Sequence, residues 1–91
     1  LMRSAVYLSV KGRVQGVGFR ASTREQALQL GLDGWAKNCP DGTVEIHAEG
    51  DKATLEEFVN WCRKGPPAAQ VLNLDVQWVA TQNLSHFEIR R

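Results

Sequence analysis

Three observations predict an α+β sandwich, with two helices on one face of an antiparallel sheet. Apolar residues recur with period two at Val6-Leu8-Val10, at Val44-Ile46-Ala48 and at Leu72-Leu74-Val76-Trp78. Between these runs lie two stretches with a helical apolar stripe. The turn signal Pro40-Asp41-Gly42 joins two consecutive strands as a hairpin. The order is therefore strand, helix, strand, strand, helix, strand, closed by a short extra strand. That order is the split βαβ arrangement (βαββαβ), compatible with right-handed crossovers in each half.

The first strand has Val6, Leu8 and Val10 on its buried face and Ala5, Tyr7, Ser9 and Lys11 on the other. A glycine-rich loop follows, and then a helix to about Leu30, with Phe19, Thr23, Ala27 and Leu30 on one side and Gly31 just past its end. Ser22-x-x-Glu25 fits a capping box that would start this helix later, so its first residue stays open. Leu32 to Asn38 is a short strand carrying Trp35, expected to return beside the first strand. After the turn, Glu45, His47 and Glu49 alternate outward from the apolar run. Asp51 or Thr54 caps the second helix, whose stripe is Leu55, Phe58, Val59 and Cys62, and Gly65-Pro66-Pro67 ends it. Leu72, Leu74, Val76 and Trp78 form the next strand, and Phe87 and Ile89 mark the last.

With 91 residues the chain is expected to be one domain, 1–91, holding one core. A formal net charge of +1 and scattered basic residues argue against a nucleic-acid partner. No apolar run approaches a membrane span and no leader pattern is present, so no membrane partner and a cytoplasmic location are expected. Two cysteines are too few for a disulfide framework or a four-ligand zinc site. A monomer is the expectation for a domain of this size.

Chemistry concentrates in Gly12-Arg13-Val14-Gln15-Gly16-Val17-Gly18-Phe19-Arg20. Glycines let successive backbone N–H groups face one concave site, and a helix beginning beyond them adds its positive dipole end. Arg20 brings a planar, permanently charged fork that suits phosphate oxygens. An ordinary strand-to-helix connection would also use such glycines. Gly16-x-Gly18-x-x-Ala21 formally fits a dinucleotide fingerprint, but the hairpin that follows and the short chain contradict a doubly wound sheet. No Gly-Lys-[Ser/Thr] follows, which excludes a P-loop.

Other candidates are weaker. A cysteine phosphatase needs an arginine six positions beyond its nucleophile, where Cys39 has Glu45 and Cys62 has Ala68. His47 and His86 fall on the outward phase of their strands and are expected at the surface, without metal-ligand spacing. Glu45 and Glu49 are expected on a polar strand face, and no carboxylates pair for acid–base work. Asn38, before a tight turn, reads on its own as a loop cap. Beside the glycine loop, however, its amide could hold a water without repelling a phosphate.

Taken together, the loop, Gly31-Leu32-x-Gly34-Trp35-Ala36-x-Asn38, Asp41-Gly42-Thr43-Val44-Glu45, Gly65-Pro66-Pro67 and Phe87-x-Ile89 resemble the acylphosphatase family over nearly the whole chain. The resemblance implies the ferredoxin-like α/β sandwich and hydrolysis of acyl phosphates to a carboxylate and inorganic phosphate. It implies phosphate binding by the loop, Gln15, Gly16, Val17, Gly18, Phe19 and Arg20, with Asn38 orienting the water. No metal or other cofactor is implied. Cys39-Pro40, between Asn38 and Asp41, falls where that family varies. A non-catalytic phospho-ligand module would need Arg20 and the glycines but has no use for a water-orienting amide, so Asn38 separates the two readings. An RNA-contacting domain would want more positive charge and exposed aromatics.

Overall fold

A computed structural model describes residues 2–91; Leu1, the first residue of the expected domain span, lies outside the described residues. The elements are β1 (Ser4–Arg13), α1 (Phe19–Gln29), β2 (Asp33–Asn38), β3 (Val44–Gly50), α2 (Lys52–Cys62), β4 (Gln70–Val79) and β5 (Phe87–Arg90). They form one sheet of order β4-β1-β3-β2-β5. The alternation in β1 and β3 sends Val6, Leu8, Val10, Val44, Ile46 and Ala48 to the helix side. There they pack with Phe19 and Ala27 of α1 and with Leu55, Phe58 and Cys62 of α2. Phe58 meets Phe87 edge-on at 6.4 Å between ring centroids. Each such buried phenylalanine contributes about 1.5–3 kcal/mol.

β2 does not lie beside β1. It pairs antiparallel with β3, Asn38 facing Val44, and β3 occupies the place between β2 and β1. The hairpin turn forces this, because a tight connection makes β2 and β3 neighbours while β1 takes the other edge of β3. The outer edge of β2 is covered by β5, which runs parallel to it, Gly34 opposite Phe87 and Ala36 opposite Ile89. The sheet is therefore antiparallel except for this one pair.

Two open local readings are settled and one expectation shifts. The first helix begins at Phe19, with Gly18 as its N-cap and the Ser22 N–H donating to Gly18 O at 3.0 Å, so the Ser22/Glu25 box lies within the helix. Asp51 takes the N-cap position of α2. In β4 the register with β1 slips between Lys11 and Gly12, leaving Leu72 72% exposed and placing Val71 against the core in its stead. Gly12 causes the slip: its φ of 134° is open to glycine, and a Cβ there would strike the backbone of Gln70 and Leu72.

The largest departure is on the sheet face away from the helices. His47 and Glu49, expected at the surface, are 2% and 0% exposed, and only His86 of the two histidines is exposed. The segment 80–86, between β4 and β5, straps over them. Glu49 accepts hydrogen bonds from the backbone N–H of Gln82 and, at 3.0 Å, of Leu84. His47 Nε2 lies 2.7 Å from Glu49 Oε2, and Arg3 Nη2 reaches Glu49 at 3.4 Å and Asp33 at 3.1 Å. Trp35 stacks on the His47 ring at 5.9 Å. Burial alone would raise the Glu49 carboxyl, but the Gln82 N–H, His47 and the Leu84 N–H outweigh it and hold the group below the ordinary carboxylate range.

Candidate functional site

Two buried side chains anchor the glycine loop at its ends. Val14 follows β1, and Phe19 opens α1 against Trp61, with ring centroids 6.2 Å apart. Between them the chain turns back at Gly16 (φ 73°) and Gly18 (φ 76°), left-handed conformations that cost other residues about 1–2 kcal/mol. No atom lies within 4 Å of where a Cβ would sit at either glycine, so backbone conformation, not crowding, selects them. Because Gly18 is the N-cap and no side chain caps α1, the first-turn N–H groups are left for a ligand. The first turn holds no acidic residue. Arg20 is its second residue.

A cavity of about 210 Å³ opens at this helix end. Its lining comes from Val14, Gly16, Gly18, Phe19, Arg20 and Ala21 of the loop and the start of α1, from Asn38 at the end of β2, and from Ile89 and Arg91 at the end of the chain. Arg20 and Arg91 are the residues of the lining with charged side chains, and no Asp or Glu is among them. The Arg20 Nη1 donates to Arg90 O at 3.2 Å, so the strand after the strap steadies the guanidinium. Its other N–H groups remain available to an anion.

Asn38 reaches the cavity although β3 separates β2 from β1, because the loop and the β2–β3 turn are joined at one end of the sheet. The joint is Gln15, whose Nε2 donates to Cys39 O at 2.8 Å and Thr43 O at 2.9 Å. The turn itself is stiff: Cys39 N–H donates to Thr43 O, and Asp41 Oδ1 accepts from the Thr43 N–H at 3.0 Å and its hydroxyl at 2.7 Å. The Thr43 hydroxyl and N–H hold the Asp41 carboxyl below its usual range. Of the expected phosphate-binding set, Gly16, Gly18, Phe19 and Arg20 line the cavity, while Gln15 and Val17 do not. Val17 packs toward the core and Gln15 fastens the loop. Sequence reasoning missed Ile89 and Arg91, because no local pattern announces that β5 runs parallel beside β2.

Both cysteines are free. Burial and the hydrogen bond to Glu45 push the Cys39 thiol up, and burial pushes Cys62 higher still, so neither has the thiolate character of a nucleophile. On the far sheet face the Tyr7 hydroxyl, partly buried and donating to Glu45 at 2.5 Å, is pushed up to about 12. Among the described residues no three His, Cys, Asp or Glu side chains are grouped as metal ligands. No helix among them is long and apolar enough to cross a membrane.

Comparison with known proteins identifies the family and agrees with the fold. The Acylphosphatase family model matches residues 6–89. The chain is 51% identical to an acylphosphatase of Trichormus variabilis over 94% of its own length and 85% of that protein's. It is 43% identical to one of Thermococcus kodakarensis over 98% of each. The crystal structure of acylphosphatase from Bacillus subtilis superposes with a TM-score of 0.94 at 37% identity, covering 99% of this chain and 100% of that one.

Proposed function

We infer the roles of the cavity residues from one premise: this chain belongs to the acylphosphatase family and is a hydrolase that splits acyl phosphates into a carboxylate and inorganic phosphate. In this reading Arg20 and the N–H groups of the Gly16–Phe19 turn bind the phosphoryl oxygens, and Asn38 orients the attacking water. The observation that carries it is the meeting of Arg20 and Asn38, eighteen positions apart, in the lining of one cavity without Asp or Glu at a helix N-terminus.

The chemistry asks little of the protein. Water oxygen forms a bond to phosphorus as the bond from phosphorus to the acyl oxygen breaks. The carboxylate departs as a weak base and needs no protein acid. The water proton passes to a phosphoryl oxygen, so no protein base is required either. Phosphoryl transfer runs through a loose transition state with charge spread over the equatorial oxygens. Positioning and preorganised positive charge then supply the acceleration. Arg20, steadied by Arg90 O, and the left-handed Gly16 and Gly18 provide that charge without reorganising. The amide of Asn38 donates and accepts, which holds a water without repelling the phosphate.

Benzoyl phosphate hydrolysis, followed spectrophotometrically, tests the assignment. Arg20→Ala lowers kcat/KM by about 100- to 1,000-fold or more, the effect of deleting one preorganised donor. Ordinary turnover by that variant would overturn the reading. The reading includes no cofactor, so turnover persists in EDTA; a phospho-ligand binding module would show none. The reading also includes a cytoplasmic setting, which the two free thiols support, and a monomer, the expectation for a domain of this size.

A further inference from the structure

We propose that Arg24 is a positioning residue for the reaction: its hydrogen bond to the outer edge of β5 sets the place of the carbonyl that holds Arg20. This role rests on the reading of Arg20 as the phosphoryl-binding arginine, and it adds a residue outside the cavity on which that grip depends.

Arg20 and Arg24 stand four positions apart on α1, so their side chains leave the same face of the helix one turn apart. Both reach β5. Arg20 Nη1 donates to Arg90 O at 3.2 Å, and Arg24 Nε donates to Phe87 O at 3.1 Å. Helix and strand are thus joined at two points, three residues apart on β5. The topology explains why Phe87 O takes this partner. β5 stands last in the strand order, so no strand runs along its outer side. On its inner side the Gly34 N–H of β2 donates to His86 O at 2.9 Å. Successive carbonyls of a strand point to opposite edges, so Phe87 O faces outward. Phe87 itself is buried against Phe58, where a carbonyl without a donor is costly. Arg24 supplies that donor from an exposed position on the helix.

β5 is only four residues long, and Phe87–Arg90 is the whole of its ladder with β2. A shift of so short a strand carries Arg90 O with it, and the Arg20 hydrogen bond follows. Preorganised charge stabilises a transition state only where it is already aimed. Without the Arg24 bond, Arg20 stays present and charged but is held less firmly toward the phosphoryl oxygens. β2 steadies the strand from its other side, and the Arg90 guanidinium lies 4.7 Å from the centre of the Trp35 ring. The loss of Arg24 therefore weakens the grip of Arg20 without abolishing it.

Three substitutions in the full chain test this with benzoyl phosphate as substrate and inorganic phosphate as inhibitor. Glutamine carries a nitrogen as many bonds from Cα as the arginine Nε, so Arg24→Gln keeps a donor at that atom without the charge. Arg24→Lys keeps the charge but places a carbon there, and Arg24→Met keeps neither. Arg24→Met and Arg24→Lys lower kcat/KM by about three- to tenfold, the scale of one lost hydrogen bond, and weaken phosphate inhibition by the same factor. Arg24→Gln regains most of both. If Arg24→Lys is as active as Arg24→Gln or more so, charge and not the bond to Phe87 O is what counts, and the positioning role is overturned. It is also overturned if Arg24→Met lowers the urea midpoint while phosphate inhibition of the folded protein is unmoved, since Arg24 would then serve stability alone. Arg20→Ala, assayed alongside, separates this result from the reading beneath it. Normal turnover by Arg20→Ala would overturn the phosphoryl reading and the positioning role together. A crippled Arg20→Ala beside Arg24 variants that match the unmodified protein would overturn the positioning role alone.

Discussion

Arg20 and Glu49 are single charges on opposite sides of the same sheet, and they are treated in opposite ways. Arg20 is half-buried at the mouth of a cavity, with one hydrogen bond to Arg90 O and the rest of its fork unused. Glu49 is wholly enclosed, with His47, Arg3 and the backbone N–H groups of Gln82 and Leu84 upon its two oxygens. A charge kept for a ligand is left with spare hydrogen-bonding capacity. A charge kept for the fold is saturated, since a buried carboxylate with a missing partner is costly. The two regions should therefore fail differently.

The largest effect comes from breaking the saturated charge cluster. Glu49→Ala removes the acceptor that the strap, His47 and Arg3 share, and lowers unfolding free energy by about 3–5 kcal/mol. Urea denaturation measures this loss, and kcat of the protein that remains folded stays within a few-fold. A variant of unchanged stability would mean that the cluster does not hold the strap. Asn38→Ala attacks the other region and reverses the pattern. It lowers kcat by about 100-fold, or ~2.7 kcal/mol in the barrier, while inhibition by inorganic phosphate and the urea midpoint are kept. If phosphate inhibition weakens along with kcat, Asn38 is shaping the loop instead of holding the water.

The smallest effect is the pH dependence of the same comparison. The Glu49 carboxyl sits below its ordinary value in the folded protein, so the unfolded chain takes up its proton first as pH falls. Its contribution is complete above the unfolded value, near ~4.3, and disappears as pH falls through the lower folded value. Denaturation midpoints between pH 7 and pH 2.5 should show a steeper acid loss in the unmodified protein than in Glu49→Gln. Parallel acid limbs would remove Glu49 from the account.

How much of this was legible in the sequence follows from the range of each signal. The alternation of Val6, Leu8 and Val10, the Pro40-Asp41-Gly42 turn and the stripe from Leu55 to Cys62 are local patterns, and all three correspond to the structure. Arg20 was marked as a candidate by the glycine turn and Asn38 by the family resemblance, and the structure brings both into the lining of one cavity. The misreadings all involve distant partners. His47 and Glu49 alternate as surface residues should, and nothing in their own strand reveals that residues 80–86 will cover them. Leu72 keeps the period of β4, but a glycine sixty positions earlier breaks the register. The parallel seat of β5 likewise depends on an edge of β2 that the sequence does not mark.

The cavity draws its walls from residues 14–21, from Asn38 and from Ile89 and Arg91, segments far apart along the chain. Synthesis runs from the amino end, so a growing chain carries Arg20 and Asn38 long before β5 is made. Until β5 docks along β2, the hydrogen bond from Arg20 to Arg90 O and the lining from Ile89 and Arg91 are missing. On the proposed roles of Arg20 and Asn38, a half-made enzyme is therefore expected to be silent toward acyl phosphates. In refolding, the same roles predict that catalysis returns only after the last strand has found its place.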